Sequence, residues 1–288
     1  MGVLLALGSA LAYGLSDFVG GLVSRRTSAW AVAVLVQVSA ALSTAVFALV
    51  RGGAPTPGDL AWAVLAGVGS GAGVGFLFRG FSSGRMSVVA PLSAVGAALL
   101  PVVIGLATGE RPGLLVTLAI VAAFPGIWMV ASGEDQPVPD SVHPTPAPSE
   151  PSGDTSGVLD GILAGLGFGI MFAGLGQVPE SAGMWPLTLT QAVSAVAAAL
   201  LATVLGASWR PTRSAWRALP AGPLSAVAVV CFQLAVQSGL LTVSAVLASL
   251  YPAATILLAM ALLRERIHRM QGIGLVLCGA TVVLVTLG

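Results

Sequence analysis

The chain has 288 residues, of which 56% are hydrophobic and only 8% are charged, and its formal net charge at pH 7 is +1. Soluble globular proteins carry about a quarter of charged residues, so a mean hydropathy of +0.97 argues against that class. The small net charge provides no basic surface for nucleic acid, and two cysteines within apolar runs do not indicate a disulfide framework. We therefore interpret the sequence as a multi-pass protein of the cell membrane.

Ten apolar segments follow one another along the chain, separated by arginines, prolines and polar clusters. Each has about the 20 residues that a helix needs to cross the hydrocarbon core. The first segment lacks the basic start of a cleaved signal peptide and is too long for one, so we count it as a span. In chain order the predicted spans are residues 2–23, 29–50, 60–80, 86–107, 113–132, 158–178, 184–206, 218–238, 241–263 and 269–287.

Between the fifth and sixth spans, residues 134–157 are rich in proline and acidic residues and contain almost nothing apolar. Such a segment buries too little surface to offset the entropy cost of ordering its backbone. We predict a disordered aqueous linker there. It divides the chain into a first unit of residues 1–133 and a second unit of residues 158–288.

The two units share an internal repeat near their ends. Residues 86–113 align without a gap to residues 241–268 at a constant offset of 155, and the Glu-Arg pair at 110–111 falls on the Glu-Arg pair at 265–266. Because each unit has an odd number of spans, the second must enter the bilayer inverted relative to the first. Inverted repeats are typical of secondary transporters, whose substrate site lies near the midplane between the halves.

Three stretches of the sequence also resemble a known family. They are "SLYP" at 249–252, the following "LLRERIHRMQGIGLVLCGATVVLV", and "APLSAVGAALLPVVIGLATGERP" in the first unit. Their pattern, a proline-marked fourth helix, an acid and a final glycine-rich helix, is similar to the EamA type of the drug/metabolite transporter superfamily. The resemblance implies an all-α membrane protein of ten helices in two inverted five-helix repeats. It also implies a central cavity lined by helices one, three, four, six, eight and nine.

Prolines and glycines inside the spans predict where helices break and where they pack. A proline frees a backbone carbonyl, which is tolerated only against protein or a wet cavity, so we expect Pro91, Pro101 and Pro252 to break helices that line the cavity. Glycines at four-residue spacing predict close helix packing; whether they also let helices slide stays open. These packing glycines are Gly67, Gly71 and Gly75 in the third span and Gly161, Gly165 and Gly169 in the sixth.

Asp17 lies inside the first predicted span, eight residues before Arg25 and so roughly 12 Å away along a helix axis. An acid near the centre of a span costs about 2.5–3.5 kcal/mol on insertion scales, and no other acid lies as deep in a predicted span. Tyr13 is one turn away on the same face. Two interpretations stay open: a carboxyl that joins helices, either held neutral or paired with a helix end or an arginine such as Arg79, or a site that binds a proton or a cationic substrate group in alternation.

The other polar candidates in the spans are Gln37, Gln191, Gln233, Gln237 and Tyr251. A buried glutamine usually forms hydrogen bonds between helices. Gln233, Gln237 and Tyr251 lie on helices expected to line the cavity, so with Asp17 and Tyr13 they are candidates for binding substrate or protons. No Ser-His-Asp set, metal cluster or nucleotide loop is recognisable, and we expect no enzyme activity, no metal and no cofactor.

These observations predict a secondary transporter that exports a small organic metabolite by alternating access. We expect a monomer or homodimer in the bilayer, with a small-molecule substrate, protons as a candidate coupling ion, and no nucleic-acid partner. A non-transporting membrane scaffold or accessory protein and a lipid-handling membrane protein stay open as alternatives. Membrane orientation stays open too, because the distribution of arginines favours external termini whereas the family resemblance favours internal ones.

Overall fold

The structure, a computed structural model, describes residues 1–83, 86–131, 155–254 and 269–287. This part of the chain is helical and contains no strand. Its α-helices, numbered α1 to α10, are Gly2–Ser24, Ala29–Arg51, Pro57–Ser82, Met86–Ala107, Leu114–Ala131, Thr155–Leu175, Trp185–Val204, Ala221–Gln237, Leu241–Ala248 and Arg269–Leu287. Two short 3₁₀ helices, Glu180–Ala182 and Ala215–Ala218, precede α7 and α8.

The helices lie close to the predicted spans. Eight of the described helices are long and apolar enough to cross a membrane, while α5 and α9 belong to shorter apolar segments. The predicted linker ends too late, because α6 already begins at Thr155; a helix can continue beyond its apolar residues into polar ones. The rest of the linker, the end of the predicted ninth span and the Glu-Arg pair at 265–266 lie outside the described residues.

Two acidic residues outside the spans cap helices. At the start of α3, the Asp59 N–H donates to the Thr56 hydroxyl at 3.3 Å and the Thr56 N–H donates to the Asp59 carboxylate at 2.8 Å, which is a capping box. The carboxylate of Glu110 accepts from the N–H groups of Leu241 and Thr242 at 2.7 and 3.0 Å. Glu110, which follows α4, therefore caps the start of α9, where the helix dipole favours a negative charge.

The most extensive helix contacts join the first unit to the second. Helix α3 packs against α6 and α7, α4 against α6, α1 against α8, and α2 against α7 and α8. A core of buried side chains around Trp30, Phe78, Phe172 and Phe232 fills these contacts. Helices α5 and α10 pack mainly against each other.

The loops of the two units also pair. Between the α1–α2 and α7–α8 loops, the hydroxyls of Thr27 and Thr212 lie 2.8 Å apart. Between the α2–α3 and α6–α7 loops, the Ala54 N–H donates to the Ser181 carbonyl at 3.1 Å. Gly183 has a φ of +66°, and it lies where a Cβ would collide with the backbone of the opposite loop.

Both glycine stripes lie where helix backbones approach each other closely. An added Cβ at Gly71 of α3 would lie 2.5 Å from the Ser194 carbonyl of α7. One at Gly165 of α6 would lie 2.9 Å from the Cα of Gly96 in α4. The other four predicted packing glycines, Gly67, Gly75, Gly161 and Gly169, would likewise meet atoms of a neighbouring helix within 3 Å. Any larger residue at these positions would push two helices apart.

Only one of the three predicted helix breaks is found. Helix α4 stays helical across both Pro91 and Pro101, contrary to the expectation of breaks there; packing against α6 and α9 holds its backbone in place. In the second unit α9 ends at Ala248, the backbone turns at residues 249–250, and helical backbone resumes at residue 251. This interruption directly precedes Pro252, as expected from the missing N–H of proline.

Candidate binding cavity

A narrow cavity, open in part to the exterior, lies between helices of both units. Its described lining comes from α1, α2, α3, α6, α7 and α8 and from the segment after α9. The resemblance implied α4 in this lining and not α2 or α7. The described lining instead includes residues of α2 and α7 and none of α4. The polar lining residues other than the two tyrosines are Ser16, Asp17, Gln37, Ser70, Gln191 and Ser225.

Asp17 lies in the lining of this cavity, on α1. Its side chain is half-buried, and within the described part of the chain it has no hydrogen bond and no ion pair. The phenols of Tyr13 and Tyr251 also line the cavity and lie close enough to interact electrostatically with the Asp17 carboxyl. The cavity therefore combines one carboxyl with two hydroxyl groups that belong to different units.

Arg79 does not pair with Asp17, which corrects one of the two interpretations of that acid. The guanidinium of Arg79 donates from Nε to Oδ1 of Asp160 in α6 at 2.9 Å and donates to the same oxygen through Nη2. It also lies over the ring of Phe76, 4.6 Å from its centre. Asp160 is buried, and sequence reasoning missed it because it lies only two residues inside the predicted sixth span.

Tyr251 is positioned by the interruption of α9. Its hydroxyl lies 2.6 Å from the Ser93 hydroxyl of α4 in a buried hydrogen bond, so α4 influences the cavity through this tyrosine. Across the cavity, Tyr13 meets Phe172 edge to face with ring centres 5.9 Å apart. These aromatic rings give the cavity an apolar wall beside the carboxyl.

The two glutamines predicted from α8 do not reach the cavity lining. Gln233 is fully buried, and its Nε2 donates to the Val178 carbonyl at 2.9 Å, which ties α8 to the chain after α6. Gln237 is half-buried at the end of α8 and is not among the lining residues. Their positions fit a packing role better than a binding role.

Gln37 and Gln191 occupy the cavity instead, each bonded to a serine. Nε2 of Gln37 donates to Ser70 at 2.9 Å, and Nε2 of Gln191 approaches Ser225 at 3.4 Å. The sequence contained a signal for the serines, because Ser70 and Ser225 are separated by 155 residues, the offset of the repeat, whereas Gln37 and Gln191 are separated by 154. Which glutamines face the cavity depends on the rotation of each helix about its axis, and hydropathy does not predict that rotation.

Long apolar helices packed around a cavity with a few polar side chains are the architecture of a multi-pass membrane protein. Residues 1–132 and 155–287 match the model of the EamA-like transporter family. The chain belongs to this family of drug/metabolite-type transporters, which confirms the resemblance read from its motifs and its place in the cell membrane. The members of this family are transporters and not enzymes.

The comparison with solved structures shows the same fold. A structure described as "Crystal structure of protein" has a TM-score of 0.69 and 16% sequence identity to this chain. The match covers 99% of this chain and 96% of that chain. No curated protein matches the sequence.

Proposed function

We propose that the protein is a secondary transporter that exports a small organic metabolite by alternating access, with the cavity around Asp17 as its substrate site. The observation that carries this proposal is the position of Asp17, in a cavity between both units and without an ion-pair partner in the described residues. An acid placed at such depth costs about 2.5–3.5 kcal/mol. A carboxyl that joins no helices gains nothing structural in return, so a binding role explains its presence better.

The Asp17 carboxyl could couple substrate transport to proton movement, because a proton and a cationic substrate group would compete for it. A single carboxylate neutralises one positive charge, so it binds either a proton or a cationic group of the substrate. None of the described lining residues is basic, and Arg79 is already paired with Asp160. The cavity therefore favours cationic or neutral molecules over carboxylates and phosphates.

Alternating access requires two units that can exchange roles, and we propose that helices α1–α5 and helices α6–α10 form inverted five-helix repeats. The helix contacts support this relation. If the units are repeats, α1 to α5 correspond to α6 to α10, and each contact should have a counterpart in which every helix is exchanged for its equivalent. The α3–α6 contact then corresponds to α8–α1, α3–α7 to α8–α2, and α4–α6 to α9–α1, and all of these contacts are present. The α2–α7, α4–α9 and α5–α10 contacts convert into themselves.

The paired loops follow the same rule. The α1–α2 loop contacts the α7–α8 loop. When each helix is exchanged for its equivalent, this contact corresponds to one between the α6–α7 and α2–α3 loops, which is also present. Two units related by a two-fold axis would produce this pattern. With five helices per unit, such an axis lies in the membrane plane.

Metabolite profiling tests the proposed function. Cells that produce the wild-type protein should release at least one cationic or neutral metabolite that cells producing Asp17→Asn retain. Glu180→Gln, which removes an exposed acid that is not among the cavity-lining residues, is the matched control and should behave as wild type. If wild-type, Asp17→Asn and empty cells have the same internal and external metabolites, the protein is better explained as a scaffold.

A further inference from the structure

We infer that the cavity contains a second, uncharged subsite, formed by two repeated glutamine–serine pairs, which accepts a hydrogen-bond donor of the transported molecule. This inference rests on the proposed function and deepens it. The substrate class it defines is a small amine that carries a second N–H or O–H group on an apolar body.

The same pair occurs in both units. Gln37 of α2 donates to Ser70 of α3, and Gln191 of α7 approaches Ser225 of α8; α7 and α8 are the counterparts of α2 and α3. All four residues line the cavity. Two such pairs facing one cavity from opposite units place amide and hydroxyl groups where the units meet, which is where transporters of this architecture bind substrate.

The hydrogen bonds around Gln37 fix which end of its amide is free. Gln37, Ser70 and Ser194 form a triangle of three contacts: Nε2 of Gln37 reaches both serines, and the Ser194 hydroxyl donates to Ser70 at 3.1 Å. Three hydrogen bonds need three hydrogens, which the two N–H groups of Gln37 and one serine supply. With the amide turned round, the two serine hydroxyls would supply only two hydrogens.

The free end is therefore the carbonyl oxygen. Among the described residues, Oε1 of Gln37 has no hydrogen-bond partner, although only 1% of the residue is exposed. A buried acceptor without a partner is unfavourable, and it gains most from a ligand that donates a hydrogen bond. A carbonyl accepts from hydroxyl, amide N–H or ammonium groups and repels carboxylates and phosphates.

The two subsites lie at a similar depth in the membrane. Asp17 lies seven residues before the end of α1, about 10 Å along the axis, and Gln37 lies eight residues after the start of α2, about 12 Å along. Because the α1–α2 loop joins these two helix ends, the carboxyl and the amide lie at similar depth in the membrane. The rings of Phe168 and Phe172 line the same cavity and suit an apolar body between the two polar ends.

Matched amines test the subsite. We would measure the dissociation constants of tyramine and of its methyl ether, 4-methoxyphenethylamine, by calorimetry on the full chain in lipid nanodiscs, followed by further pairs of amines that differ only in one methylated donor. We expect wild-type protein to bind the donor-bearing member about 3–10-fold more tightly. In Gln37→Met the ratio should fall to about one, whereas Asp17→Asn should weaken both amines and preserve the ratio. Gln237→Met, outside the cavity lining, is the matched control.

The outcomes separate the subsite from the proposed function. An unchanged ratio in Gln37→Met overturns the subsite and leaves the role of Asp17 intact. If Gln37→Met does not fold, Ser194→Ala loosens the same amide, and a ratio that stays at the wild-type value again overturns the subsite. The subsite is also overturned if wild-type protein binds none of the amine pairs, or binds both members of every amine pair equally. The metabolite-release experiment tests the proposed function independently of these binding measurements.

Discussion

Arg79 of α3 and Asp160 of α6 form an ion pair that joins the first unit to the second, with Nε and Oδ1 2.9 Å apart. The acid is almost inaccessible, with 5% of its side chain exposed, whereas 35% of the arginine side chain is exposed. The pair lies between two helices that pack closely along their glycines. A carboxylate in this position depends on the arginine for its charge to be tolerated.

Breaking this pair should destabilise the protein. We expect Asp160→Asn and Arg79→Gln each to reduce the free energy of unfolding by about 1–3 kcal/mol, below the range for a fully buried pair because Arg79 is partly exposed. The double variant should lose less than the sum of the two, since the residues act together. Tryptophan fluorescence during heating in detergent measures the change, with Glu180→Gln as control. Single variants as stable as wild type would show that the pair contributes nothing.

Asp17→Asn should remove the pH dependence of amine binding. In the wild type, raising the pH removes the competing proton from the carboxyl, so binding should strengthen up to the pH at which the amine itself loses its charge. Asparagine neither binds a proton nor carries a charge, so the variant should bind weakly and equally at every pH at which the amine keeps its charge. Calorimetry with tyramine over a pH series measures this. An asparagine variant that keeps the wild-type pH profile would assign the dependence to another group.

Gly71→Val should impair folding, because an added Cβ would lie 2.5 Å from the backbone carbonyl of Ser194 and the two helices cannot both keep their positions. The expected result is a large fall in the yield of monodisperse protein after size-exclusion chromatography. Gly279→Val is the matched control, since open space surrounds this glycine of α10. Equal yields for both variants would mean that the α3–α7 contact is more adaptable than its geometry indicates.

The predicted linker should be dispensable for transport. Its composition, rich in proline and acids and poor in apolar residues, provides no surface that could dock onto a helix bundle. Replacing residues 136–154 by a shorter Gly/Ser spacer should leave membrane insertion and metabolite release near wild-type levels. Loss of release at normal expression would assign a function to this segment.

The positions of the helices could be predicted from the sequence because a membrane span is a property of composition along about 20 residues. The depth of Asp17 could be predicted for the same reason, since an acid stands out in an apolar run. Asp160 could not, because it lies near the predicted edge of its span, where an acid is ordinarily exposed. Its burial comes from Arg79, a neighbour 81 residues away in sequence.

The composition of the cavity was harder to predict than its existence. Gln37 and Gln233 are both buried glutamines in apolar helices, and no pattern in their own helices shows that the first faces the cavity and the second faces Val178. That choice depends on helix rotation, which is set by contacts such as those of Gly71. Pro91 and Pro252 likewise have the same chemistry, yet α4 stays helical at one and the backbone turns before the other.

The off-centre position of Asp17 has an electrical consequence. Seven residues separate it from one end of α1 and fifteen from the other, so a cation that reaches it from the nearer surface crosses about one third of the membrane thickness. Moving one charge through the whole potential is worth about 2.3 kcal/mol per 100 mV, so this step is worth about 0.7 kcal/mol and the step from the farther surface about twice that. The membrane voltage would therefore act unequally on the loading of the carboxyl from the two sides, and the initial rates of amine uptake into proteoliposomes held at opposite polarities should differ.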